Sequence, residues 1–119
     1  MSDRVVIILS CGTDNPNRAT RAFHLAKIAH QEGKSVSVFL LDEGVYLARK
    51  GLSENVGSAT GDMLDEHLTY LQANDVPILA CAPCAKARRI EADDLIVGAR
   101  LGTGVDLIRL TSDAAVISL

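Results

Sequence analysis

The chain has no tryptophan, and Phe and Tyr together make up only 3% of it. A core without large rings has to be filled by Val, Ile, Leu and Ala, which suits a parallel sheet buried on both faces. No apolar run approaches the roughly 20 residues that cross a bilayer, so no membrane span is expected. Positive charge is not in surplus. The net charge is −3, which gives no electrostatic pull towards nucleic acid or an anionic membrane. Cysteine is scarce and odd in number, at three. That argues against a secreted disulfide framework and leaves thiols for reaction, metal binding or burial. The opening Met1-Ser2-Asp3-Arg4-Val5 lacks the basic, apolar and cleavage regions of an export signal. A cytoplasmic protein is expected.

What is present alternates. With 119 residues, 48% of them hydrophobic, the chain suits one domain over 1–119. The run Val5 to Ser10 reads as a buried strand and Cys11 to Asn15 as a loop. Asn15 caps a helix with Pro16 at its first position, and Gly33 stops it. Val36 to Leu41 is a second strand, followed by Asp42-Glu43-Gly44 and a short helical piece, Val45 to Lys50. Gly51 to Gly61 is polar and reads as a mobile surface loop. Thr60 is the expected cap of a second long helix whose inner face is Met63, Leu64, His67, Leu68 and Leu71. Val76 to Ala80, Val97 to Leu101 and Ala115 to Ser118 read as three more strands. This alternation predicts a three-layer α/β fold with a mostly parallel five-stranded sheet. Reactive groups in such sheets gather beyond the carboxyl ends of the strands.

Cys81-Ala82-Pro83-Cys84 falls at that edge, where a strand enters a helix, and Lys86, Arg88 and Arg89 follow it. A helix N-terminus and nearby cations favour thiolate, the reactive form of cysteine. Arg88 lies four residues after Cys84, which makes it the best-placed partner for that thiol on a helix. One reading is a thiol-disulfide couple. C-x-P-C matches the thioredoxin motif, but the pair follows the third strand, no Trp accompanies it and no Pro follows Pro83. A second reading is a persulfide carrier, with one Cys holding sulfane sulfur and the other assisting. The plain alternative is two small hydrophobes at a strand end.

Other residues weigh less. C-x-x-C is half a zinc site. Cys11 as a third ligand would need a histidine, and His24, His30 and His67 stand at no ligand spacing to a cysteine, so no metal and no organic cofactor is expected. Cys11 shares the rim but reads first as a core residue. His24 and His67 read as half-buried packing residues. Gly102-Thr103-Gly104 reads as a turn, and Asp42-Glu43-Gly44 as a cap or turn before a general base.

Laid out in this way, the chain resembles the DsrE/DsrF-like sulfur-relay family over nearly its whole length. The resemblance is carried by Val5 to Ser10 and its loop, Asp42-Glu43-Gly44-Val45, and Cys81-Ala82-Pro83-Cys84-Ala85-Lys86-Ala87-Arg88. It extends through Asp94 to Ala99 and the closing Asp113 to Leu119. It implies a small flavodoxin-like or Rossmann-like domain that assembles as a homotrimer or homohexamer, with persulfide sulfur on a cysteine after the third strand. Cys84 is the main candidate, with Cys81 beside it and Lys86, Arg88 and Cys11 supporting. The implied partners are a protein sulfur donor and acceptor, so the activity would be that of a sulfurtransferase or sulfur carrier. The alternatives left open are a thiol-disulfide redox protein and a non-catalytic oligomeric binding subunit.

Overall fold

The computed structural model describes residues 3–119; Met1 and Ser2 of the opening segment lie outside them. Strands β1 (Arg4–Leu9), β2 (Ser35–Leu40), β3 (Ile78–Cys81), β4 (Ala99–Gly102) and β5 (Ala115–Ser118) form one sheet in the order β4-β3-β2-β1-β5. Every neighbouring pair is parallel. The helices α1 (Pro16–Gln31), α2 (Leu64–Ala73), α3 (Ala82–Ala87) and α4 (Gly104–Thr111) connect them. The architecture is three-layer α/β, as the alternation predicts.

The period of two along each strand divides the core. Ile7, Leu9, Val36, Val38, Leu40, Ile78 and Ala80 join Ala22, Phe23 and Ala26 of α1 and Leu64, Leu68 and Leu71 of α2 in one aliphatic cluster. Phe23 is fully enclosed, and cutting it to Ala would cost about 3–5 kcal/mol. Val6, Phe39 and Leu79 are buried on the opposite face. Gly102 belongs there because a Cβ would lie 2.9 Å from Leu79 and 3.1 Å from Phe39.

Local signals explain the boundaries. Asn15 accepts a hydrogen bond from the Arg18 amide and Pro16 opens α1, while Gly33 ends it at φ 85°. Thr60, by contrast, does not cap α2. Gly61 turns the chain at φ 87°, Thr60 Oγ1 bonds Ser58 Oγ, and the helix begins only at Leu64 after an extended Met63. The stretch 51–61 is not simply a polar loop either, because Ser53 and Val56 are buried. The helical piece after β2 is a 3-10 segment, Asp42–Ala48, starting three residues early on an Asp42 with φ 48°. β4 starts late because Gly98 holds φ 86° and Val97 is exposed with its carbonyl bonded by Gln72. Gly102-Thr103-Gly104 is a strand end joined to a helix cap. Thr103 Oγ1 accepts from the Asp106 amide and Asp106 Oδ2 accepts from the Thr103 amide.

His24 and His67 are not an equivalent pair of packing residues. His67 is buried and His24 exposed, and their rings stack at 4.5 Å between centroids. His30 Nδ1 meets the Tyr70 hydroxyl at 2.7 Å. No helix among the described residues is long and apolar enough to cross a membrane.

Candidate functional site: a thiol pair at the edge of the sheet

Cys81 is the last residue of β3 and the N-cap of α3, so the chain turns from strand to helix at its Cα. Its Sγ accepts the Cys84 amide at 3.4 Å, and the two sulfurs lie 2.6 Å apart. Both thiols are free and half-buried. C-x-P-C spacing produces this contact because three residues close one helical turn, and Pro83 takes an early helical position where its missing N–H costs nothing.

Two glycines bring the rim together. The loop after β1 crosses the loop after β2 so closely that a Cβ on Gly12 would sit 2.4 Å from the Glu43 carbonyl oxygen. A Cβ on Gly44 would sit 2.5 Å from the Leu9 carbonyl oxygen. Only backbone fits at either crossing. Glu43 is thereby fixed near α3, where Arg88 donates to its carboxylate through Nε at 3.0 Å and through Nη2. Arg88 Nη1 donates to the Cys84 carbonyl at 3.0 Å, and the guanidinium lies 6.0 Å from the centre of the Tyr46 ring. The helical spacing that suggested a bond from Arg88 to the Cys84 thiol ends instead on the Cys84 carbonyl.

Electrostatics bear directly on Cys81. Burial raises the Cys81 pKa above the ordinary thiol value, the hydrogen bond to Cys84 adds to it, and the Cys84 amide pulls back without winning. At Cys81, of the two opposing effects of helix N-terminus and burial, desolvation is the larger. Glu43, its first hydrogen-bond partner, holds Arg88 more firmly protonated, and the Cys84 sulfur adds a smaller Coulombic part. Lys86 is exposed and lines a separate pocket of about 500 Å³ with Arg89, Ile90 and Leu101.

Cys11 is buried, its Sγ is 4.0 Å from the Asn15 carbonyl, and burial, then Asp14, raises its pKa. It sits as a core residue at the end of β1. Sequence reasoning did not find the Glu43 and Tyr46 contacts to Arg88. The signal was available, since β2 pairs with β3 and the loops after adjacent parallel strands share an edge. Among the described residues, the His, Cys, Asp and Glu side chains grouped at metal-ligand spacing are His24, Asp62 and His67, with no cysteine among them.

The fold and sequence both have relatives. The chain is 33% identical to an uncharacterised protein of Methanocaldococcus jannaschii over 111 residues, covering 93% of this chain and 94% of the other. It is 29% identical to an uncharacterised protein of Methanopyrus kandleri over 112 residues, covering 94% and 89%. The crystal structure of the ychN protein from E. coli superposes with a TM-score of 0.82 at 23% identity, covering 100% of both chains. A protein of unknown function from Methanobacterium thermoautotrophicum follows with a TM-score of 0.68 at 21% identity, covering 98% of both. Residues 3–119 match the DsrE/DsrF-like family, so the chain belongs to that sulfur-relay-related family.

Proposed function

We propose that this protein carries sulfane sulfur as a persulfide on Cys84, with Cys81 as its proton-holding neighbour. The observation that carries the reading is the contact between two free, half-buried thiols, one of which burial keeps protonated. In the loading step the Cys84 thiolate attacks the outer sulfur of a donor persulfide. One S–S bond forms on Cys84, the donor S–S bond breaks, and the donor leaves as a thiolate that takes up a proton. No net oxidation occurs. An acceptor nucleophile then takes the terminal sulfur and returns Cys84 as thiolate. In the neutral pair the Cys84 S–H donates to the Cys81 sulfur; once Cys84 is ionised, the Cys81 S–H donates to the Cys84 thiolate instead. Arg88, anchored on Glu43 beside the Cys84 carbonyl, adds positive charge at the same point. Lys86 is an outer contributor, and Cys11 a structural residue of the rim.

A second reading rests on the same contact. Sulfurs this close need little backbone movement to join, so the pair also suits a thiol-disulfide couple that loses two electrons and two protons to an oxidised partner.

Partners follow from surface as well as chemistry. Val105 and Ile108 of α4 are 58% and 67% exposed, and no residue of α4 or β5 is buried. An apolar face of this kind supports a homotrimer or homohexamer. Three free thiols support a reducing, cytoplasmic setting.

Mass spectrometry after incubation with a sulfane-sulfur donor tests the reading. Gain of one sulfur atom by wild type and by Cys81→Ser, but not by Cys84→Ser, is expected. Loss of two hydrogens, reversed by reductant, would select the redox couple instead. No change at either cysteine would leave the binding-subunit reading.

A further inference from the structure

The stacked histidines form a second cluster that shares no residue with the thiol pair. His24 comes from α1, His67 from α2, and Asp62 from the loop leading into α2, so packing of the two helices assembles all three. Asp62 Oδ2 is 2.7 Å from His67 Nε2 and 3.8 Å from His24 Nδ1. One ligand atom from each residue lies within 4.8 Å of the others. Ligand atoms around a tetrahedral zinc, bonded at about 2.0–2.2 Å, are roughly 3.4 Å apart. The two distances to Asp62 bracket that spacing.

A pocket of about 360 Å³ opens on the cluster, lined by His24 and Asp62 together with Asn17, Thr20, Arg21 and Thr60. His67 is 4% exposed, and its Nδ1 has no hydrogen-bond partner. Among the described residues Asp62 is therefore the hydrogen-bond partner of its ring, on which His24 stacks. A cation taking the place of the shared proton at Nε2 breaks no other hydrogen bond of His67, and the displaced proton moves to Nδ1. Two imidazoles and one carboxylate, without thiolate, suit a divalent transition ion of the zinc, cobalt or nickel kind. Two facts oppose a more strongly charged occupant: Arg21 lines the pocket and Lys27 acts on Asp62.

We propose that His24, Asp62 and His67 bind one divalent transition-metal ion, with its remaining coordination positions open to the pocket. The site is independent of sulfur chemistry at Cys84.

Titration with Zn²⁺ and Co²⁺ tests it, using the full chain and a Cys81→Ser/Cys84→Ser variant that removes the competing thiols. One equivalent is expected to bind both proteins. The Co²⁺ form should show ligand-field bands without the near-ultraviolet band of thiolate coordination. His24→Ala, at an exposed position that leaves the fold intact, and Asp62→Asn should each weaken binding at least about ten-fold, since even an outer-shell partner costs that much. Circular dichroism of each variant keeps folding separate from binding. Absence of binding, unchanged affinity in both variants, or loss of binding in the cysteine variant alone would overturn the proposal.

Discussion

Arg88, at the C-terminal end of α3, holds Glu43 of the 3-10 segment that follows β2. The guanidinium beside the thiols is therefore already partly neutralised, and Glu43 governs how much of its charge reaches sulfur. Glu43→Gln should expose that charge and speed Cys84 alkylation at neutral pH by roughly a few-fold, while Arg88→Leu should slow it by a similar factor. Iodoacetamide kinetics with peptide mapping give the rate for each cysteine. Equal rates in both variants would remove Arg88 from the thiol chemistry.

Cys81 and Cys11 are both raised, chiefly by burial. A folded-state thiol pKa above the unfolded value stabilises the protein fully below the ordinary thiol value of about 8.5. That stability is lost as pH rises from there through the folded value. Urea midpoints under reductant should therefore fall as the solution becomes alkaline. Cys81→Ala should flatten part of that slope and Cys11→Ala another part. A native Cys81 that alkylates with the profile of a free thiol would contradict the burial argument.

Asp62 is shifted the other way, lowered first by its hydrogen bond from His67. A depressed carboxyl pKa stabilises the fold above the ordinary carboxylate range, and the effect is lost as pH falls through the folded value. Acid unfolding monitored by circular dichroism should show a shallower pH dependence in Asp62→Asn than in wild type.

Gly12 and Gly44 should tolerate no side chain. Both built Cβ atoms meet backbone oxygen rather than a movable side chain. Gly12→Ala or Gly44→Ala should each destabilise by about 2 kcal/mol or more. Gly104, with nothing within 4 Å of its built Cβ, provides the contrast. Gly104→Ala should stabilise by about 0.5–1 kcal/mol by restricting the unfolded chain. Thermal or urea denaturation measures all three.

The apolar surface of α4 predicts assembly. Ile108→Glu should convert the oligomer to monomer in light scattering at micromolar concentration and leave the core intact, because Ile108 is 67% exposed. A monomeric wild type would remove the assembly reading.

The five strands were legible because β-branched and aliphatic runs stand between turn residues, as Val36 to Leu41 does between Gly33 and Gly44. The caps were legible only where a side chain had no competing backbone preference. Asn15 capped as its type dictates, while Thr60 lost to the left-handed turn at Gly61. The thiol pair was legible because its spacing is local. Its surroundings were not, since Glu43 and Arg88 are joined by sheet order. The His24–Asp62–His67 cluster depends on how two helices pack, which periodicity along either helix cannot register.

The Cys81 sulfur that caps α3 gives the molecule a built-in reporter. Whatever charge or covalent partner that sulfur gains is felt at once by the Cys84 amide it accepts at 3.4 Å. The chemical shift and hydrogen-exchange rate of one backbone proton would then follow the oxidation state of the pair, with no label on either thiol.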